Sequence, residues 1–110
     1  MERKIERIEG LKGGAGHVFL ERLVGEDVLD NKCKMFANMT VETGCSLGYH
    51  EHQDESETYY IISGSGVYRD NDSTFDVHAG DVLVCRPGNG HAISNPHKEA
   101  LRFVALMIKK

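Results

Sequence analysis

Residues 48–66 read GYHEHQDESETYYIISGSG: two histidines one residue apart, a cluster of acidic residues, then an apolar run closed by glycines. Side chains in a β-strand alternate between faces, so His50 and His52 share one face, with their imidazoles near enough to hold a common ion. Gly48 on that face is expected to leave room for it. Glu57 opens the next strand with Tyr59 and Ile61 on its face, and an outward bulge of residues 53–56 would return its carboxylate to the two rings. Downstream, His91 follows the tight loop PGNG and begins a strand whose same-face partners are Ile93 and Asn95, which makes it the expected fourth ligand. Three neutral imidazoles and one carboxylate suit Mn(II), Fe(II), Ni(II), Co(II) or Zn(II), with open positions if the ion is octahedral. Taken alone, the paired histidines also fit two surface residues on an edge strand.

The flanking sequence predicts strands almost throughout. HVFLERLV from His17, MFANMTVET from Met35, ETYYIIS, VYRDND, STFDVHA, the two halves of GDVLVCRPGNGHAISN and LRFVALMI are short, β-branched or aromatic, and separated by turn signals. Asp70, Asn71 and Asp72 tolerate the geometry of a hairpin loop, and Gly25–Lys34 is a polar connection. The total is about eight or nine strands, the pattern of an all-β barrel or two-sheet jelly roll. Residues 1–16 carry Ile5, Ile8 and Leu11 at a loosely helical spacing and break at GGAG, so an irregular or helical arm is expected there. The expected layout is one domain, with residues 1–34 an arm and first strand joined to a barrel of residues 35–110.

With 110 residues there is room for a single core, and 12 glycines imply many tight turns. A formal net charge of −4 gives no basic patch to track a phosphate backbone, so nucleic acid is not an expected partner. The longest apolar run, FVALMI, falls far short of the ~20 residues a membrane helix needs. Cys33, Cys45 and Cys85 are odd in number and widely spaced, and MERKIERIEG has no apolar signal region; a cytoplasmic location is expected.

The wider spacing resembles the cupin superfamily. Gly44, His50, His52, Glu57 and Gly64 fall position for position on its first signature, and Gly80, Gly88, His91 and Asn95 on its second. One position departs: the family's proline matches Arg86, and Pro87 lies one place later. The resemblance covers about residues 35–108. It implies a jelly-roll barrel with a metal ion inside, held by His50, His52, Glu57 and His91. It does not imply one reaction, because cupins include dioxygenases, decarboxylases, isomerases, storage proteins and sugar-binding regulatory domains.

Other residues divide by face. Tyr59, Ile61, Met39, Phe103 and Met107 are expected to line the pocket, with Met35 a further candidate wall, whereas Thr58, Tyr60 and Ile62 point outward or toward a second subunit. Glu51, Asp54 and Glu55 read as a solvated rim, with Glu55 the alternative carboxylate ligand. His78 and His97 are expected in solvent, His17 is a lesser candidate for the pocket, and Cys85 reads as a small buried hydrophobe. The expected function is binding, or metal-dependent turnover, of a small oxygen-bearing metabolite such as a carboxylate, a keto or enol acid, or a sugar; the alternative is a ligand-binding or sensory module without turnover. A homodimer is expected, with the strand at His17–Val24 a candidate to extend the partner's sheet.

Overall fold

A computed structural model of the chain describes residues 3–109. Its strands are β1 (Ile5–Glu9), β2 (His17–Arg22), β3 (Cys33–Val41), β4 (Ser46–His52), β5 (Glu55–Ser63), β6 (Ser65–Asp70), β7 (Ser73–His78), β8 (Val82–Cys85), β9 (Asn89–Ser94) and β10 (Leu101–Lys109). They form two antiparallel sheets, ordered β1-β2-β3-β10-β5-β8 and β4-β9-β6-β7. Neighbours in each sheet are mostly distant in sequence, which gives the jelly-roll architecture expected from the strand pattern.

Period-two alternation explains which residues fill the space between the sheets. Val18 and Leu20 of β2, Ala37, Met39 and Val41 of β3, and Leu101, Phe103 and Ala105 of β10 point inward and are buried, while the residues between them face out. The smaller sheet contributes Leu47, Tyr68, Val77 and Ile93. Phe103 sits opposite Met39 on one side and Ile61 on the other, its ring 4.4 Å from that of Tyr59, so this stack joins three strands at the centre. Truncating such a ring to alanine costs about 3–5 kcal/mol.

The last corner before β10 is tied by one side chain. Asn95 is buried; its amide donates to the carbonyls of Val41 and Glu99, and its oxygen accepts from the His97 backbone. The amide thereby ties the carbonyl at the end of β3 to one in the turn and satisfies its own buried polar atoms.

Several local expectations change. The N-terminal segment is neither helical nor irregular: Ile5–Glu9 pairs with β2, and only Ile8 is partly buried, so ladder hydrogen bonds outweigh the weak helical spacing. Leu11–Gly13 forms a short 3-10 turn, and the connection after β2 contains one helical turn, α1 (Glu26–Leu29). The described residues hold ten strands, more than the eight or nine expected. Strand β3 starts at Cys33, and β2 is hydrogen-bonded on both sides, so it cannot extend a partner's sheet; the edges of its sheet are β1 and β8. No helix among the described residues is long and apolar enough to cross a membrane.

Candidate metal centre

Three strands bring four side chains to one point: β4 carries His50 and His52, β5 carries Glu57, and β9 carries His91. His50 lies directly opposite His91 across the β4–β9 ladder, just past an irregularity between Leu47 and His50. The loop before β9 is tied to the end of β4 by a hydrogen bond from Gly88 N–H to the His52 carbonyl at 2.6 Å. Gly88 has φ 86°, a left-handed conformation that suits glycine, and the proline displaced to position 87 still leaves His91 in place. Gly48 has a different task from the one expected. A Cβ there would collide with the Lys12 carbonyl, so its missing side chain makes room for the N-terminal turn rather than for an ion.

Glu57 Oε1 lies 3.1 Å from His52 Nε2, 3.0 Å from His91 Nε2 and 3.7 Å from His50 Nε2. His91 Nε2 lies 3.1 Å from both His52 Nε2 and His50 Nε2. With bonds of ~2.1 Å, ligand atoms at right angles around an ion stand ~3.0 Å apart, whereas those of a tetrahedron stand ~3.4 Å apart. Four edges of 3.0–3.1 Å fall in the range of ligand atoms gathered around one ion, and the Glu57–His50 edge is longer, at 3.7 Å.

The other ring nitrogens decide what these contacts are. His50 Nδ1 lies 2.8 Å from the Gly48 carbonyl and His52 Nδ1 lies 3.3 Å from the Glu55 carboxylate, both groups that only accept. Each Nδ1 is therefore the protonated nitrogen, and in the neutral imidazole each Nε2 presents a bare lone pair. His91 Nδ1 is paired with the Tyr68 hydroxyl at 2.8 Å. Lone pairs and a carboxylate oxygen converging on one buried point repel unless a cation lies among them. The donor set fits a divalent ion, with outer partners of the kind that orient metal-binding histidines.

Without an ion, protons on the facing ring nitrogens take its place: burial opposes charge on Glu57, yet the surrounding imidazole N–H groups and the positive charges of His91 and His52 outweigh it and hold the carboxyl at about 2. Burial pushes His91 below the ordinary histidine range, toward the neutral form that ligates. Glu55 is held down first by its bond to Lys34, Nζ to Oε2 at 2.7 Å, so it remains an acceptor for His52.

A cavity of about 300 Å³ opens beside these residues. Its apolar wall includes Leu11, Leu20, Met35, Met39, Leu47 and Met107, and Tyr59 adds an aromatic face stacked on His91 at 4.9 Å. Ile61 and Phe103, expected on the same wall, are fully buried in the core and do not line it. Among the described residues Tyr59 carries the one buried side-chain polar atom without a hydrogen-bond partner, its hydroxyl. Burial and the nearby Glu57 charge push that hydroxyl well above its ordinary range, so it stays protonated.

The remaining candidates lie elsewhere. Glu55 is not in the group of four; it supports His52 from behind. His17 faces away from the cavity and meets Glu42 at 2.7 Å. His78 and His97 are exposed, and Cys85 is buried with its thiol pushed up to about 11 by burial. The roles of Tyr68 and Lys34 were not visible in the sequence, since each acts from a strand outside the signatures and only pairing across the sheets reveals it.

Three comparisons place the chain among known proteins. A family model described as "Cupin domain" matches residues 37–108. An oxalate-binding protein of Thermotoga maritima is 39% identical over 103 residues, 94% of this chain and 85% of its own length. A crystal structure from the same organism, of a protein described as a predicted oxalate decarboxylase, superposes with a TM-score of 0.96 at 38% identity, covering 99% of this chain and 95% of that one. The cupin domain of Schizosaccharomyces pombe Cnp3 shares the fold at 18% identity, with a TM-score of 0.76 over 84% of this chain and 61% of that one. With its four convergent side chains and the family match across most of its length, the chain belongs to the cupin family.

Proposed function

We propose that the protein binds a divalent metal ion through His50, His52, Glu57 and His91 and uses it to hold a small carboxylate-bearing ligand in the adjoining cavity. The observation that carries this reading is the set of partners that commits Nδ1 of His50 and His52 to protons, leaving bare Nε2 atoms around Glu57 Oε1. The carboxylate is supported by the Thermotoga maritima relative, which is described as oxalate-binding. When bound, the ion supplies Lewis acidity to the oxygens it holds. The chain's own contribution is to keep the imidazoles neutral and oriented, to keep Glu57 ionised, and to surround the ligand with an apolar wall in which Tyr59, Met39 and Met107 take part.

Elemental analysis of the purified protein tests the reading. About one divalent ion per chain is expected, falling sharply in His52→Ala while the fold persists by circular dichroism; an unchanged metal content would overturn the assignment. A product and O₂-uptake screen on the metal-loaded protein then separates binding alone from decarboxylation, dioxygenation or isomerisation.

The outer face of the larger sheet supports a homodimer. Tyr60 and Ile62 of β5 and Val82 and Val84 of edge strand β8 are exposed, Tyr60 lies directly opposite Val82, and contiguous apolar surface of this kind gains by being covered. Sedimentation at micromolar concentration is expected to show a dimer that dissociates in Val82→Lys; a wild-type monomer would refute this. Three free cysteines, two of them buried, fit the reducing cytoplasm.

A further inference from the structure

The cavity is larger than a two-carbon acid requires. At about 300 Å³ it offers space for roughly ten waters at ~30 Å³ each, and it lies at the lower end of the range for pockets that enclose larger organic ligands. Much of its wall is apolar, with Leu11, Leu20, Met35 and Met107 among the lining residues, so it offers a surface for a hydrocarbon stem.

The same wall also carries two exposed cations. Arg22 continues the inward face of β2 past Val18 and Leu20, and Lys12 is presented by the turn between β1 and β2; both are exposed and both line the cavity. Neither has a carboxylate within ion-pair distance among the described residues. The third basic residue on the wall, Lys34, is already paired with Glu55. Of the acidic residues on the wall, Glu57 faces the histidines, Glu55 is paired, and only Glu51 stands free against Lys12 and Arg22. The three basic and three acidic residues of the wall balance, so a divalent ion held there would leave the lining net positive.

Resting on the metal-dependent binding proposed above, we infer that the ligand is a dianion: a 2-oxo or 2-hydroxy acid whose head reaches the ion, whose short apolar stem lies along the leucines and methionines, and whose second carboxylate meets Lys12 and Arg22. Two partly solvated ion pairs add a modest preference, because exposed pairs contribute little individually and a desolvated rim strengthens them.

The test compares two acids of equal chain length on Mn(II)-loaded protein by isothermal titration: 2-oxoglutarate, and 2-oxopentanoate, which lacks the distal carboxylate. About a tenfold preference for 2-oxoglutarate is expected in the wild type, falling to within twofold in the Lys12→Gln, Arg22→Gln double variant, with metal content and melting temperature unchanged. Equal binding of the two acids by the wild type, or a preference that survives in the double variant, overturns the inference while leaving metal-dependent carboxylate binding intact. Failure of the wild type to bind oxalate or either 2-oxo acid in a metal-dependent way overturns both.

Discussion

Replacing Glu55 with alanine removes the acceptor that holds His52, and the consequence can be estimated from three contacts. The histidines are steadied at Nδ1 by the Gly48 carbonyl at 2.8 Å, by the Tyr68 hydroxyl at 2.8 Å and by Glu55 at 3.3 Å. A hydrogen bond to a charged group contributes about 1.5–3 kcal/mol. The Glu55 bond is the longest of the three, and its side chain is 16% exposed, so the lower end applies. About 1.4 kcal/mol corresponds to a tenfold loss of metal affinity, at the weak end of what outer partners of metal-binding histidines supply. Competition with a fluorescent chelator at pH 7.5 measures it. Glu55→Gln, which keeps an acceptor oxygen, should recover most of the loss, and Lys34→Met, which removes only the partner of Glu55, should weaken binding by less than about threefold. An affinity for Glu55→Ala within twofold of wild type would refute the claim that this carboxylate positions His52.

Two further outcomes follow from the site and its surroundings. In the metal-free protein, Glu57 titrates at about 2 instead of 4.5, a depressed carboxyl whose stabilisation is complete above pH ~4.5 and lost as pH falls toward ~2; the difference is worth about 3 kcal/mol. His91 is also depressed, so the unfolded chain takes up its proton first and stability begins to fall below pH ~6.5; urea denaturation across this range should show both losses, and a flat profile would contradict them. Gly48→Ala places a methyl group against the Lys12 carbonyl and should lift the Leu11–Gly13 turn from β4, costing about 1–3 kcal/mol and accelerating amide exchange in residues 10–16; unchanged exchange would show that the turn is held by something else.

How much of this was legible in advance varies with the kind of constraint involved. The site rested on chemistry that the sequence displays directly: the one-residue spacing of His50 and His52 is meaningful once a strand is assumed, and His91 follows a loop whose glycine marks a sharp turn. Burial faces of β3, β5 and β10 followed from alternation, which is why Met39, Tyr59 and Met107 reach the cavity. Alternation gives the face but not the depth along the barrel, however, and Ile61 and Phe103 share that face while sitting one layer further into the core. The N-terminal strand was illegible because its order comes from pairing with β2 rather than from its own pattern, in which Ile5 remains exposed. The task of Gly48 is hidden for a related reason: the atoms that crowd it belong to residues 12 and 14, distant in sequence and brought close only by the fold.

The buried amide at the corner before β10 also bears on how the protein ages. Asparagine most readily loses its amide when the next residue's backbone nitrogen attacks the side chain and closes a ring. Here the next residue is Pro96, whose nitrogen carries no hydrogen and is already fully substituted. Conversion of Asn95 to aspartate would place a buried carboxylate against the carbonyls of Val41 and Glu99, where an amide donor now sits. The proline thus protects, by chemistry rather than by packing, the one side chain whose slow hydrolysis would set the end of β3 against the turn that leads into β10.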